Sequence, residues 1–414
     1  MQPVAGDQSR QRRTTLLATM AISPTKILIL NSGSSSLKFA VYQTTPDEAL
    51  VLAGKLERIG LSGSRIEMSG KGLEALRVET NLPDHETAIR VLIGQLHDRR
   101  LADDLSAIGH RVVMGGPHYT TPQRVTPELL EELHELSQID LPHLPAAIKT
   151  IKAAQEFRPG ILQVACFDTS FHRTMPRVAQ TYAISRVLAE RWGIIRYGFH
   201  GLSYEYILGE LRRIDPAASE GKVIVAHLGN GASMAAIRNS QSIETTMGFT
   251  PAGGLVMSSR AGDLDPGVIV QLLTQKKMTP LQLNDLIYKE SGLRGVSELS
   301  SDMQDLLREM DKNAHAAEAI NLFCYQARKF LGALAAVLDG VETLIFTGGI
   351  GENVDFVRAG ICENLSYLGL SLNEVKNAAH ADIISTPESR VTVRVMKTNE
   401  ELMIARHTAK LLNT

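Results

Sequence analysis

Lys26-Ile-Leu-Ile-Leu-Asn-Ser-Gly-Ser-Ser-Ser-Leu-Lys-Phe-Ala-Val-Tyr42 is the stretch on which the reading of this chain turns. Ile27 to Leu30 is a short apolar run of the kind that forms a buried strand, and Leu37 to Tyr42 is a second run rich in β-formers. Between them Asn31-Ser32-Gly33-Ser34-Ser35-Ser36 makes a tight polar turn, with Lys38 just beyond it. A hairpin tip of this composition gathers backbone N–H groups and hydroxyls around one point, which suits an anion, most often phosphate. A plain β-hairpin with a Ser-rich turn reads equally well. The stretch is not a Walker A loop, because no Gly-Lys-Ser/Thr follows at the required spacing.

The same unit recurs. Val223-Ile224-Val225-Ala226 leads into His227-Leu228-Gly229-Asn230-Gly231-Ala232-Ser233 and out through Met234 to Ile237, and Gly229 falls on Gly33 when the two are laid together. One such hairpin near the start of each half predicts two similar lobes facing a cleft that can hold a polyphosphate from both sides. A third glycine turn, Thr347-Gly348-Gly349-Ile350-Gly351-Glu352-Asn353, follows the apolar Leu344-Ile345-Phe346, with a helix expected from near Val354. Thr126-Pro127-Glu128 carries the signals of a helix start, with Leu129, Leu130, Leu133 and Leu136 on its buried face. A long helix is expected over 317–339, closed by Gly340. Strands alternate with helices, so the class is α/β.

The 414 residues imply two domains of roughly 200 each, and 44% hydrophobic residues are enough for real cores. Lys and Arg total 43 against 45 Asp and Glu, for a formal charge of -2, which speaks against nucleic acid or an anionic membrane as the main partner. Cys166, Cys324 and Cys362 are widely separated, with no Cys-x-x-Cys and no His-Glu-x-x-His, so a zinc site is not expected and a reducing cytoplasm is. Arg12-Arg13 and the apolar residues after them faintly resemble a twin-arginine signal, but no Ala-x-Ala site follows. The expectation is a disordered leader over 1–21, or a true start at Met20.

Several further stretches join strand residues to ionisable groups: Gly109-His-Arg111-Val-Val113, Phe167-Asp168-Thr-Ser-Phe-His172, Tyr197-Gly-Phe199-His200-Gly201, Met247-Gly-Phe-Thr-Pro251 and Arg260-Ala-Gly262-Asp-Leu-Asp-Pro266. Singly each has a bland reading: a surface salt bridge for Arg111 or Arg260, a satisfied structural histidine for His200, a helix cap for Asp168. Together with three glycine turns they are harder to set aside.

With His227-Leu-Gly-Asn-Gly231, Gly348-Gly-Ile-Gly-Glu-Asn353 and Thr398-Asn-Glu-Glu401 added, the set occurs in the order of the acetate kinases, and the chain from Lys26 to Arg406 resembles that family. The resemblance implies membership of the acetate and sugar kinase, Hsp70 and actin superfamily: two lobes with duplicated RNase H-like cores facing a nucleotide cleft. It implies ATP/ADP as co-substrate, Mg²⁺ (or Mn²⁺), a short-chain carboxylate, reversible transfer of the γ-phosphoryl group, and a homodimer. The lobes implied are 22–167 plus 401–414 for the acyl substrate, and 168–400 for nucleotide and dimerisation. By analogy Asn31 and Glu400 lie near the metal. Asp168, His200 and Arg260 act at the reacting groups, and Arg111, Val113, Phe199 and Pro251 hold the acid. Lys38, His227 to Gly231 (with Leu228, Gly229 and Asn230), Asp302, Met303, Gln304, and Gly349, Ile350, Gly351, Glu352 and Asn353 surround the nucleotide.

This inventory suits the chemistry. A carboxylic acid is already ionised at pH 7, since it titrates near ~4–5, so the nucleophile needs no base. It needs positioning and neutralised charge against an anionic phosphate. Planar guanidinium forks supply both. In a sugar kinase, by contrast, Asp168 would have to deprotonate a hydroxyl. Acetate is the expected acid, with propionate or butyrate as the alternative within the family. A nucleotide-driven binding protein of the actin or Hsp70 type is the alternative outside it. The chain departs from the family pattern at Met114 and Tyr204, where His is usual, at Gln304, where Arg is usual, and at Pro142, which takes the place of an acyl-pocket Leu.

Overall fold

The computed structural model describes residues 25–33, 35–138 and 143–414; the leader, Met20 and Pro142 lie outside the described residues. The described chain builds two sheets. The first contains β1 (Lys26–Ser32), β2 (Ser36–Gln43), β3 (Ala49–Glu57), β4 (Arg65–Gly70), β5 (Leu73–Glu79), β6 (Leu105–Val112), β7 (Gln123–Arg124) and β8 (Leu162–Phe167), in the order β5-β4-β3-β2-β1-β6-β8-β7. The second contains β9 (Lys222–Leu228), β10 (Ala232–Arg238), β11 (Gln241–Thr245), β12 (Thr343–Thr347) and β13 (Thr392–Val395), in the order β11-β10-β9-β12-β13.

The same five-strand unit occurs in both. β1 pairs antiparallel with β2 and parallel with β6, which runs parallel to β8. β9 pairs antiparallel with β10 and parallel with β12, which runs parallel to β13. The second hairpin is one residue shorter: Ile29 faces Ala40, 11 residues on, whereas Val225 faces Ala235, 10 residues on. β1 and β9 are central strands, and all but their first residue are buried, which is why each reads as an unbroken apolar run instead of an alternating one.

One helix joins the sheets, and a second packs on the first sheet beside it. Glu400–Leu412 lays Met403, Ile404 and Ala405 against Ile27, Ile29 and Val164. Gly109 on β6 admits it, since a Cβ there would stand 2.6 Å from the Ile404 side chain. Gly201–Ile214 sends Leu202 into that same cluster, and Tyr204, Ile207 and Leu211 into a second one with Val223, Val225 and Ile345. Each fully buried side chain of this size contributes roughly 1.5–3 kcal/mol, so this helix ties the relative placement of the sheets to substantial apolar burial.

Thr126 caps the helix Pro127–Leu136 as expected, burying Leu129, Leu133 and Leu136. The long helix runs Ala314–Leu338. It starts earlier than expected because the Asn313 side chain caps it, and it ends where Asp339 turns left-handed at φ 58°. The third glycine turn differs from expectation. It is itself the helix Gly348–Asn353, and the next helix, Asp355–Cys362, starts after a break at Val354. Glu352 explains this: one carboxylate oxygen accepts from Gly348 N at 2.9 Å and from Thr347 Oγ1 at 3.3 Å, folding the glycine segment into a coil.

Candidate active site

The parallel strands β1, β6, β8, β9 and β12 all end at one cleft of about 670 Å³, the place where open α/β sheets bind ligands. The first sheet contributes Asn31, Ser32, Gly33 and Lys38 from its hairpin, Arg111 from β6 and Val113 just beyond it, and Asp168 beyond β8. The second contributes His227, Gly229, Asn230 and Gly231 from its hairpin and Gly348, Gly349, Ile350 and Glu352 beyond β12. Phe199, His200, Pro251, Arg260, Asp302, Met303, Gln304 and Glu400 complete the wall among the sequence candidates. Leu228, Gly351 and Asn353 do not line it. Leu228 and Gly351 are buried in the packing around Phe346, and Asn353 folds its amide back onto the Gly349 carbonyl at 3.0 Å.

Arg111 organises the floor. Its Nε donates to Asp168 Oδ1 at 3.0 Å, its Nη2 to Asp168 Oδ2 at 2.6 Å, and its Nη1 to Asn31 Oδ1 at 3.2 Å. Glu400 stands 3.7 Å from Nε, and Glu401 accepts from Asn31 Nδ2 at 3.4 Å. Burial alone would weaken the guanidinium's hold on its proton, but Asp168 and Glu400 more than reverse this and keep it charged. Three carboxylates thus surround one arginine. The surplus shows at Glu400, whose carboxyl is pushed up to about 7 by burial, with Asp168 and Glu401 adding to the rise against the pull of Arg111.

His200 and His227 stack across the cleft wall with ring centroids 4.3 Å apart. Burial, the partner ring and the nearby Arg111 and Arg260 push His200 well below the usual imidazole range. Burial, with Arg111 and Lys38, takes His227 to about 3. Both are neutral at pH 7. His200 caps its helix from the left-handed region, at φ 59°, a conformation rare for a side chain of this size. His172 clamps the preceding residue through its Nε2 to the Phe199 carbonyl at 2.9 Å. Arg260 donates from Nη1 to the Pro251 carbonyl at 2.9 Å, and Val113, Phe199 and Pro251 are apolar residues of the same cleft.

On the opposite side the two glycine loops nearly touch. Gly348 adopts φ +78°, and a Cβ there would lie 2.7 Å from the Leu228 carbonyl, so only glycine permits the approach. The Glu352 oxygen that holds Gly348 N also accepts from Thr398 N at 3.1 Å. Asp302 caps the helix Met303–Glu309, and Gln304 is exposed at the rim.

Sequence reasoning did not select Ser32, Gly33, His143, Ser258, Gly348, Val354, Thr398 or Glu401 as site residues, yet all line the cleft. Most sit inside or beside stretches already singled out, so the signal was adjacency to a motif. Among the residues that depart from the family pattern, Met114 and Tyr204 are completely buried beside the cleft and do not line it.

A duplicated RNase H-like core closing on a cleft of glycine loops, arginines and carboxylates defines a two-lobed protein of the actin-like ATPase fold. The Acetokinase family model matches residues 26–406, and the chain belongs to that family. An acetate kinase from Rhodopseudomonas palustris is 45% identical, over 93% of this chain and 98% of its own. One from Methylocella silvestris is 44% identical, over 94% and 98%. Among solved structures, the acetate kinase of Porphyromonas gingivalis matches with TM-score 0.84 at 35% identity, over 94% of this chain and 100% of its own. A propionate kinase from Francisella tularensis matches with TM-score 0.88 at 32% identity, over 93% and 99%.

Proposed function

We propose that this protein transfers the γ-phosphoryl group of ATP to the carboxylate of acetate, reversibly, giving acetyl phosphate and ADP. One observation carries the choice of acceptor. Both oxygens of Asp168 accept from Arg111, which suits that carboxylate to aiming the guanidinium and not to serving as the base that a hydroxyl acceptor requires. A carboxylate acceptor needs none. Arg111 and Arg260 instead bring positive charge to two anionic reactants, and neutral His200 supplies a hydrogen bond where charge develops on the phosphoryl oxygens. Val113, Phe199 and Pro251 form the apolar end that receives the methyl group, with propionate or butyrate as the longer alternatives. Lys38, His227, the loops at Gly229–Gly231 and Gly349–Ile350, and Asp302 to Gln304 receive the nucleotide.

Mg²⁺ (or Mn²⁺) fits the surplus carboxylates: Asn31 and Glu400, with Glu401 beside them, would hold it. Among the described residues no three His, Cys, Asp or Glu form a metal cage of their own, which agrees with an ion carried on nucleotide phosphates and bound by one or two carboxylates. When bound, the ion screens the phosphate charge. We place 22–167 plus 401–414 in the acyl lobe and 168–400 in the nucleotide lobe. A homodimer is supported by the helix Pro266–Thr274, apolar in sequence and without one buried residue in the single chain. No described helix is long and apolar enough to cross a membrane, and the three cysteines are free thiols, which supports a cytoplasmic location.

Trapping acyl phosphate as hydroxamate over acetate, propionate and butyrate tests the reading, with acetate expected to be the best acid. ATP hydrolysis indifferent to every acid would instead favour a nucleotide-driven binding protein.

A further inference from the structure

Behind the His200 ring stands a buried pair of hydroxyls. His200 Nδ1 lies 2.8 Å from Ser233 Oγ, and Ser233 Oγ lies 2.5 Å from the Tyr204 hydroxyl. Tyr204 and Ser233 are both fully buried, Tyr204 on the helix Gly201–Ile214 and Ser233 on β10. We propose that Tyr204 and Ser233 are positioning residues that lock His200 in the tautomer with its proton on Nε2, so that a neutral imidazole always presents an N–H donor to the cleft.

The polarity of the chain follows from counting protons. The Tyr204 ring packs among Ile207, Val225 and Ile237, and Ser233 Oγ is its hydroxyl's hydrogen-bond partner among the described residues. A buried O–H without an acceptor is strongly disfavoured, so Tyr204 donates to Ser233. Ser233 has one proton of its own, which must then go to His200 Nδ1. An Nδ1 that accepts leaves the single proton of a neutral ring on Nε2. That nitrogen faces the cleft: a Cβ added at Gly231 would stand 3.1 Å from it and 3.6 Å from Arg260 Nη1. The high proton affinity that burial gives Tyr204 keeps its hydroxyl intact as a donor. His227 has a parallel arrangement, Nδ1 2.8 Å from Ser203 Oγ and Ser203 Oγ 2.8 Å from Thr398 Oγ1, and serves as an internal control.

What the donor does rests on the phosphoryl-transfer reading above; the tautomer itself does not. The test is ¹⁵N NMR of the full-length protein carrying ¹⁵N-labelled histidine, with the His200 signals assigned by their loss in His200→Gln. The wild type should show an acceptor-type Nδ1 and a protonated Nε2. Tyr204→Phe should shift both signals toward a mixture, and Ser233→Ala should shift them further. Turnover should fall about tenfold, part of the ~10²–10³ that a complete donor is worth, with both KM values within about threefold. Ser233→Thr should restore signals and turnover, and Ser203→Ala should move the signals of His227 while His200 keeps its tautomer. A protonated Nδ1 in the wild type overturns the proposal, as do unchanged His200 signals and turnover in Tyr204→Phe, which removes one buried oxygen and keeps the test open if Ser233→Ala fails to fold. A wild type that forms no acyl phosphate would sink the functional reading and leave the nitrogen signals to decide the tautomer.

Discussion

Arg111 grips Asp168 through two parallel hydrogen bonds, at 3.0 and 2.6 Å, and Asp168 is 1% exposed. The carboxylate therefore serves to aim the guanidinium. Asp168→Asn keeps the shape but turns an N–H against the arginine fork. We expect turnover to fall about 10²-fold, the order seen when one aimed donor is lost. Stability should fall too, by up to ~3–5 kcal/mol, because Arg111 then lacks its main counter-charge. Steady-state kinetics and thermal melting measure the two effects. Turnover within threefold of wild type would mean that Arg111 does not need this partner.

Arg111→Ala and Arg260→Ala should each lower kcat by about 10²-fold or more, with the fold retained. Arg260 donates to the Pro251 carbonyl at 2.9 Å, whereas Arg111 is the cation between Asp168 and Glu400. Arg111→Ala should also melt lower than wild type, because it leaves two buried carboxylates without their shared cation. Equal melting with normal turnover in either variant removes that arginine from the mechanism.

Acid should weaken the fold before it reaches ordinary carboxylate pKa values. Burial lowers His110 and His172 to about 4 and His227 to about 3, and His200 is lowered too. Between those values and the unfolded ~6.5, the unfolded chain binds more protons than the native one, so stability rises with pH through this window and is lost as pH falls. Glu400, raised to about 7, and Glu244, also raised by burial, work oppositely, but they are two groups against four. At pH 5 each buried imidazole should cost roughly 1–2 kcal/mol. A melting temperature flat between pH 7 and pH 5 would contradict this.

The duplicated hairpins were legible because central strands buried on both faces must be apolar throughout, and because Gly33 and Gly229 mark the same turn. The helical coil at Gly348–Asn353 was not, because it depends on a carboxylate four residues on that closes back on Gly348 N and reaches Thr398 N across the chain. Family resemblance likewise placed Leu228 and Gly351 with the nucleotide, whereas their neighbours in three dimensions are core atoms. Asp168 shows the same limit from the other side. Its role follows from which oxygens are occupied, and sequence carries the carboxylate but not its partner.

Gln304 is exposed at the mouth of the cleft, on the first turn of the helix that Asp302 caps. A guanidinium there could lie over a π face, an interaction worth ~0.5–1 kcal/mol at such a site. Gln304→Arg should therefore tighten the ATP Michaelis constant about two- to fivefold with turnover unchanged. A weaker or unchanged constant would show that this position does not meet the base.

The helix Pro266–Thr274 reads Pro-Gly-Val-Ile-Val-Gln-Leu-Leu-Thr, and Val268, Val270 and Leu273 are exposed on it. A nine-residue apolar helix has no reason to persist in water unless another surface covers it. Val187 and Trp192, at 74% and 65% exposure, offer further uncovered apolar area on the same half of the chain. Covering a side chain of this size is worth roughly 1.5–3 kcal/mol, and a stable interface needs about 800 Å² from each partner. A second copy of the chain meets both needs by repeating the patch about a two-fold axis. The double variant Val270→Asp, Leu273→Lys puts charges into that contact without touching the cleft. Sedimentation should show a dimer for wild type and a monomer for the variant at micromolar concentration, and the wild-type melting temperature should rise with protein concentration while the variant's stays constant. A wild type that sediments as a monomer at tens of micromolar, or a variant that still sediments as a dimer, would mean that something other than a second copy covers this helix.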